Sequence, residues 1–209
     1  MSDDERQRAL CYQVVSRVID YPGHELRDEM PMLRAATDEL PPGWASCLTP
    51  LLDHVDATAL TTLQQEYVAT FDLRRKCSLY LTYFVHGDTR NRGTALLAIK
   101  QIYRAGGVEL DDSELPDHLA VMLEFAATVD PDAGRTLLID HRAGLELLRL
   151  ALSDAGSVYA GALEAVTATL PRIRGDVHDV VRRLVAEGPP GEQVGLEPFG
   201  PPSTTGVRR

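Results

Sequence analysis

Between Glu66 and Ala127 the chain sets aromatic rings beside charges in three short runs. They read Glu66-Tyr67-Val68-Ala69-Thr70-Phe71-Asp72, then Leu79-Tyr80-Leu81-Thr82-Tyr83-Phe84-Val85-His86-Gly87-Asp88-Thr89-Arg90-Asn91-Arg92-Gly93, then Glu114-Leu115-Pro116-Asp117-His118-Leu119. This combination suits recognition, because rings supply contact area while Arg and Asp orient what lies on them. Tyr67 and Phe71 lie one helical turn apart and share a face. A buried tyrosine still needs a partner for its hydroxyl, so Tyr67, Tyr80 and Tyr83 read as the wall of a groove. Phe71, Leu81 and Phe84 read as core by their apolar character, and Phe71 also as a contact beside Tyr67.

The charged set admits two readings. Asp88 or Thr89 caps a helix whose first turn carries Arg90 and Arg92, two cations set against the macrodipole. A carboxylate compensates them, supplied by Asp72 or Glu66 or by a bound peptide. Otherwise both arginines are solvated. Gly93 costs about 1 kcal/mol against Ala in a helix, which suggests close approach of another backbone. Glu114-Leu115-Pro116-Asp117 has the ordinary chemistry of a helix start.

Other chemistries find no support. His24, His54, His86, His118, His141 and His178 form no His-x-x-x-His pair and have no cysteine at ligand spacing, against a zinc or iron site. Asp111-Asp112 caps or solvates a turn and lacks the facing acidic cluster of a Mg²⁺-dependent helical enzyme. A P-loop and a Gly-x-Ser-x-Gly nucleophile motif are both absent.

The elements that must position these residues are helices, since helical periodicity dominates and strand alternation is nearly absent. Leu10, Val14 and Val18 stripe a first helix, closed by Pro22-Gly23. A second covers His24 to Asp38, interrupted at Pro31 and ended by Pro41-Pro42-Gly43. Thr49-Pro50 opens a third. Leu60, Leu63, Tyr67 and Phe71 define the next. Leu96, Ile99, Ile102 and Tyr103 define another, stopped by Gly106-Gly107. Leu119, Met122, Leu123 and Ala126 stripe a helix ended before Asp130-Pro131. Two more follow on Leu145, Leu148, Leu152 and on Val158, Ala162, Val166, Leu170. A short last helix uses Val177, Val180, Val181 and Leu184. From Gly188 to Arg209 the Gly/Pro-rich chain, with Leu196 and Phe199, has too little apolar content to offset its ordering entropy, so a disordered tail is expected. The reading is one all-α helical-bundle domain, residues 1–187, of about eight or nine helices, with the tail at 188–209.

Basic residues number 21 against 31 acidic ones, a net charge of −10. That balance argues against nucleic-acid binding and against docking on anionic lipid by charge alone. No run reaches the 18 or so apolar residues of a membrane span, so no stable membrane insertion is expected. Cys11, Cys47 and Cys77 are odd in number and far apart, as for reduced thiols. With the acidic start Met1-Ser2-Asp3-Asp4-Glu5, they make a cytoplasmic protein the expectation.

The three runs, in their order and spacing, resemble the nitrate reductase delta-subunit family, the NarJ-type assembly chaperones of the wider TorD-like group. The strong match covers about 60 residues, and helical pattern extends it over positions 8 to 170. The resemblance implies a TorD-like bundle that is not an enzyme. It implies binding of the N-terminal segment of the apo catalytic alpha subunit of a respiratory nitrate reductase, which is kept competent for molybdenum cofactor insertion. The cofactor enters the partner, and none is bound by the chain itself. The chaperone is absent from the finished enzyme. Such a segment docks helix-in-groove. On this reading Tyr67, Phe71, Tyr80 and Tyr83 contact the peptide, while Asp88, Arg90 and Arg92 orient it. His86 and Gly93 belong to the same run, and Met122 and Phe125 complete the groove, Met being adaptable at binding surfaces. The alternatives are a chaperone for another molybdoenzyme, a small helical Mg²⁺-dependent enzyme, or a ligand-binding regulatory module.

Overall fold

Ser2 starts the first helix with a reciprocal capping box, its Oγ accepting from the Glu5 amide and the Glu5 carboxylate accepting from the Ser2 amide. The computed structural model describes residues 2–111, 114–173 and 175–187. In chain order these form α1 (Asp3–Val18), α2 (Glu25–Asp38), α3 (Pro42–Ala57) and α4 (Leu60–Tyr67). A π-helical turn (Val68–Asp72) and a 3₁₀ turn (Arg75–Cys77) follow, then α5 (Leu81–His86) and α6 (Arg90–Ala105). The remainder is α7 (Leu119–Thr128), α8 (Pro131–Asp140), α9 (Arg142–Asp154), α10 (Ala160–Ala168) and α11 (Gly175–Glu187). Among the described residues there is no strand, only an isolated antiparallel bridge between Tyr80 and His118.

The all-α architecture is the one the periodicity predicts. Two helices go beyond the sequence reading. One is the six-residue α5. The other is α8, where Asp130-Pro131 ends α7 and also begins the next helix: Asp130 accepts from the Ala133 amide and Pro131 occupies the first turn. Prolines also mislead at α3. Pro41-Pro42 opens that helix instead of closing α2, and Pro50 lies inside it. The Thr49 hydroxyl donates to the Ala45 carbonyl rather than capping. Pro31 likewise sits inside an unbroken α2 at an exposed position, where water can reach the carbonyl it leaves unpaired. The tail from 188 to 209, Asp112, and the side chains of Val177 and His178 lie outside the described residues.

α1 packs along α7 and against α2, α10 lies on α3 and α9, and α5 and α11 rest on α9. The approaches of α10 to α3 and of α8 to α7 need glycine. A Cβ at Gly161 would collide with the Cys47 carbonyl of α3, and one at Gly134 would collide with Ala126 of α7. α7 is buried on nearly every side through Leu119, Ala120, Met122, Leu123, Phe125 and Ala126. It packs between α1 and α8.

Candidate functional site

α5 has no capping side chain of its own, and its N-terminus is closed from 35 residues away. Asp117 Oδ2 accepts from the Thr82 amide at 3.1 Å and from the Thr82 hydroxyl at 2.5 Å. The Leu81 amide donates to the Asp117 carbonyl and the Leu119 amide to the Leu79 carbonyl, which fixes the register of the two segments. Asp117 is 0% exposed. A carboxylate so buried requires a cation, and Arg92 supplies it, with Nη2 3.6 Å from Asp117 Oδ2. Arg92 Nε also donates to Thr82 Oγ1 at 3.3 Å, and its Nη1 lies 3.4 Å from Asp88. Its guanidinium carbon sits 5.6 Å from the centre of the Tyr80 ring.

Arg92 is therefore not a solvated first-turn residue, and the carboxylates that compensate it are Asp88 and Asp117. The two proposed from the sequence are otherwise placed: Glu66 pairs with His54, while Asp72 forms no ion pair among the described residues. The α6 N-cap is Thr89, but its hydroxyl donates to the His86 carbonyl and leaves the helix start uncapped. Gly87 makes the turn into α6 with φ of 57°, a conformation that favours glycine.

The third run is structural by a route other than a helix start. The Tyr80 hydroxyl donates to Glu114 Oε1 at 3.0 Å, and the Tyr103 hydroxyl donates to the Pro116 carbonyl at 2.8 Å. Burial, with the Glu114 carboxylate beside it, pushes the Tyr80 hydroxyl up to about 12. The His118 ring meets Tyr80 edge-on at 5.3 Å, and its Nδ1 is buried without a hydrogen-bond partner. Burial lowers the pKa of His118 against the opposing pull of Glu114, Asp20 and Asp117.

Beside this clasp opens a pocket of about 310 Å³. Five of the expected residues line it: Phe71, Tyr80, Tyr83, Asp88 and Arg92. Three others complete it: Asp72, Arg75 and Ser78. The π-helical turn delivers Phe71 and Asp72 to its wall, and such turns recur at functional sites. Leu73, next in the chain, is 75% exposed. Arg75 and Ser78 were missed from sequence, although Arg74-Arg75-Lys76 is a conspicuous basic run in so acidic a chain.

The other expected residues are placed elsewhere. Tyr67 is buried in a ladder of rings, 5.3 Å from Tyr21 and 4.9 Å from Phe71, which in turn lies 4.8 Å from Tyr159. Met122 is fully buried. Phe125 packs on Tyr103 at 4.5 Å, so both residues belong to the core and not to the lining of this pocket. His86 is half-buried at the end of α5, outside the pocket lining. Arg90 is exposed and forms no ion pair among the described residues. Gly93 is exposed, and among the described residues a Cβ there would meet nothing within 4 Å. Among the described residues no group of three or more His, Cys, Asp or Glu is placed to hold a metal ion, and no helix is long and apolar enough to cross a membrane.

Comparison with known proteins adds the following. The family model of the nitrate reductase delta subunit matches residues 37–165. The chain is 33% identical over 169 residues to the probable nitrate reductase molybdenum cofactor assembly chaperone NarJ of Bacillus subtilis, covering 79% of this chain and 91% of that protein. It is 34% identical over 150 residues to the nitrate reductase molybdenum cofactor assembly chaperone NarJ of Escherichia coli, covering 70% of this chain and 64% of that one. A 108-residue stretch, 52% of this chain, is 51% identical to the nitrate reductase-like protein NarX of Mycobacterium tuberculosis, of whose length it spans only 17%. The fold is that of a redox enzyme maturation protein from Archaeoglobus fulgidus, with a TM-score of 0.58 at 24% identity over 77% of this chain and 91% of that one.

Proposed function

The chain belongs to the nitrate reductase delta subunit family, and from that premise we propose that it is a dedicated assembly chaperone. It binds the N-terminal segment of the apo catalytic alpha subunit of a nitrate reductase and holds that subunit competent to receive its molybdenum cofactor. The cofactor is cargo for the partner, and this chain neither retains it nor catalyses a reaction. It acts in the cytoplasm, before the partner is complete.

The observation that carries this reading is the pocket beside the Thr82–Asp117 clasp, where Phe71, Tyr80 and Tyr83 share one recess with Asp72, Arg75, Asp88 and Arg92. An amphipathic segment places an apolar anchor in such a recess, and the rim charges fix its direction. Rings that lose little entropy on binding serve as anchors at low cost. Release follows when the folded catalytic subunit no longer presents its segment, a population shift that needs no chemistry.

Calorimetric titration with a peptide of roughly fifteen residues from the start of the catalytic subunit tests the reading, since helix-in-groove ligands are of that length. Saturable one-to-one binding that Tyr83→Ala weakens by about tenfold or more is the expected result for a ring anchor. Absence of heat and of chemical-shift change at high peptide concentration overturns it.

A further inference from the structure

A second recess, of about 230 Å³, lies where the end of α1 meets the start of α7. Asp20, Glu114 and Glu124 bring three carboxylates to its lining, and none of them forms an ion pair among the described residues. Arg17 lines the recess too, but its guanidinium is committed to Glu29 by contacts of 2.7 and 2.9 Å. His118 adds an observation independent of charge. It lines the same recess at 4% exposure, and its Nδ1 has no hydrogen-bond partner. An orphan nitrogen in so buried a ring marks a contact that the chain itself does not supply. Burial holds the ring in its neutral form, which keeps an acceptor nitrogen. Ser16, also buried in the lining, donates its hydroxyl to the Gln13 carbonyl and leaves its oxygen as a further acceptor. Tyr80 holds the recess in shape, donating to Glu114 and meeting the His118 ring edge-on.

From this set of acceptors we infer that the recess is a binding site for an organic cation, an alkyl chain ending in an ammonium or a guanidinium. A metal ion suits the arrangement less well. It needs its ligands at about 2.0–2.6 Å, and among the described residues no group of three or more His, Cys, Asp or Glu is placed to hold one. An ammonium or guanidinium instead spreads several N–H donors over acceptors that stand farther apart. Asp20 and Glu124, both exposed, meet the charge, while the buried His118 and Ser16 accept from its donors. The alkyl stem lies against Ala120 and Val121. This site has no lining residue in common with the pocket beside the Thr82–Asp117 clasp, and the inference does not depend on the reading of that pocket.

The test follows the His118 ring in heteronuclear NMR spectra of the full chain at about pH 7.5, where an ordinary histidine is neutral. n-Butylammonium or n-butylguanidinium chloride is added, with NaCl at matched ionic strength and n-butanol as controls. Both cations are expected to give a saturable shift, and the double variant Asp20→Asn, Glu124→Gln is expected to bind them about tenfold or more weakly. Urea midpoints check that the variant is folded, and Glu124→Gln alone repeats the comparison if the double variant is not. Equal shifts from n-butanol or NaCl, the absence of a saturable shift, or unchanged affinity in the folded variants overturns the inference. So does displacement of the cation by MgCl₂ at matched ionic strength, which would assign the recess to a metal ion. The blocked peptide acetyl-Gly-Arg-Gly-amide separates two sources of the same chemistry. Binding as tight as that of n-butylguanidinium supports a basic side chain of a polypeptide as the occupant. Binding of the free cations without the peptide supports a small-molecule amine.

Discussion

Arg92 reaches Asp117 across 3.6 Å, joining the first turn of α6 to a carboxylate that has no exposed surface. Both residues stand in runs that resemble a binding motif, yet this relationship is internal. The guanidinium neutralises a charge that the fold has buried in order to close the N-terminus of α5 at Thr82. Arg90, two residues away on the same helix, has no such task. The two arginines that look alike in sequence thus divide the work, one holding the pocket wall and the other facing outward.

That division is measurable. Arg92→Ala strands Asp117 and is expected to cost about 2–4 kcal/mol, somewhat less than for a fully buried pair because Arg92 is partly solvated. Asp117→Ala removes the cap of α5 as well and destabilises at least as much. Arg90→Ala stays within about 0.5 kcal/mol of the parent chain. Urea midpoints of the three variants check this, and a neutral Arg92→Ala would refute the structural role.

His118 should impose a pH dependence on stability. Its pKa in the folded chain lies below the ordinary value of 6.5, so below that pH the unfolded chain takes up a proton that folded His118 resists. The folded state then loses stability as pH falls through about 6.5 and is unpenalised above it. Subtracting the pH profile of His118→Gln from that of the parent chain isolates the effect. Parallel profiles would contradict it.

Three glycines should behave oppositely. At Gly93 an added methyl meets open space, and Gly93→Ala is expected to raise stability by up to about 1 kcal/mol. At Gly134 and Gly161 the same methyl meets a neighbouring helix, and Ala there is expected to cost about 1–3 kcal/mol. Thermal unfolding compares them directly. A Gly93→Ala chain that is more stable but binds the catalytic-subunit peptide less well would show that a partner backbone makes the close approach this chain does not.

Removing one oxygen at the pocket wall tests the Tyr80–Glu114 hydrogen bond. Tyr80→Phe keeps the ring against Arg92 and His118 but leaves Glu114 without this donor. The expected loss is about 0.5–1.5 kcal/mol of stability. Peptide affinity should change little, in contrast to Tyr83→Ala.

The sequence showed which residues belong together more readily than how they meet. Phe71, Tyr80, Tyr83, Asp88 and Arg92 converge on one pocket as their chemistry suggests. Met122 and Phe125 were misplaced because a stripe marks a buried face without saying whether the opposite face is buried too, and α7 is buried on nearly every side. Tyr67 failed similarly: its hydroxyl argued for a groove wall, but its ring joins Tyr21 and Phe71 in a packed ladder. The bounds of α2 were legible, but proline misled at its middle, where Pro31 causes no break, and at the start of α3, which Pro41-Pro42 opens and Thr49-Pro50 does not. Asp117 as the cap of α5 was not legible, since a cap supplied from 35 residues downstream leaves no local pattern.

That distance has a consequence for the order of events in folding. The wall of the pocket is held by a bond that no local segment can make, because Thr82 and Asp117 meet only after a 35-residue loop has closed. α4 or α6 forming early creates no partial recess with partial affinity. The recess takes its shape only once the segment bearing Thr82 and the segment bearing Asp117 have docked on each other. The pocket wall is thus a product of tertiary closure and not of any one helix.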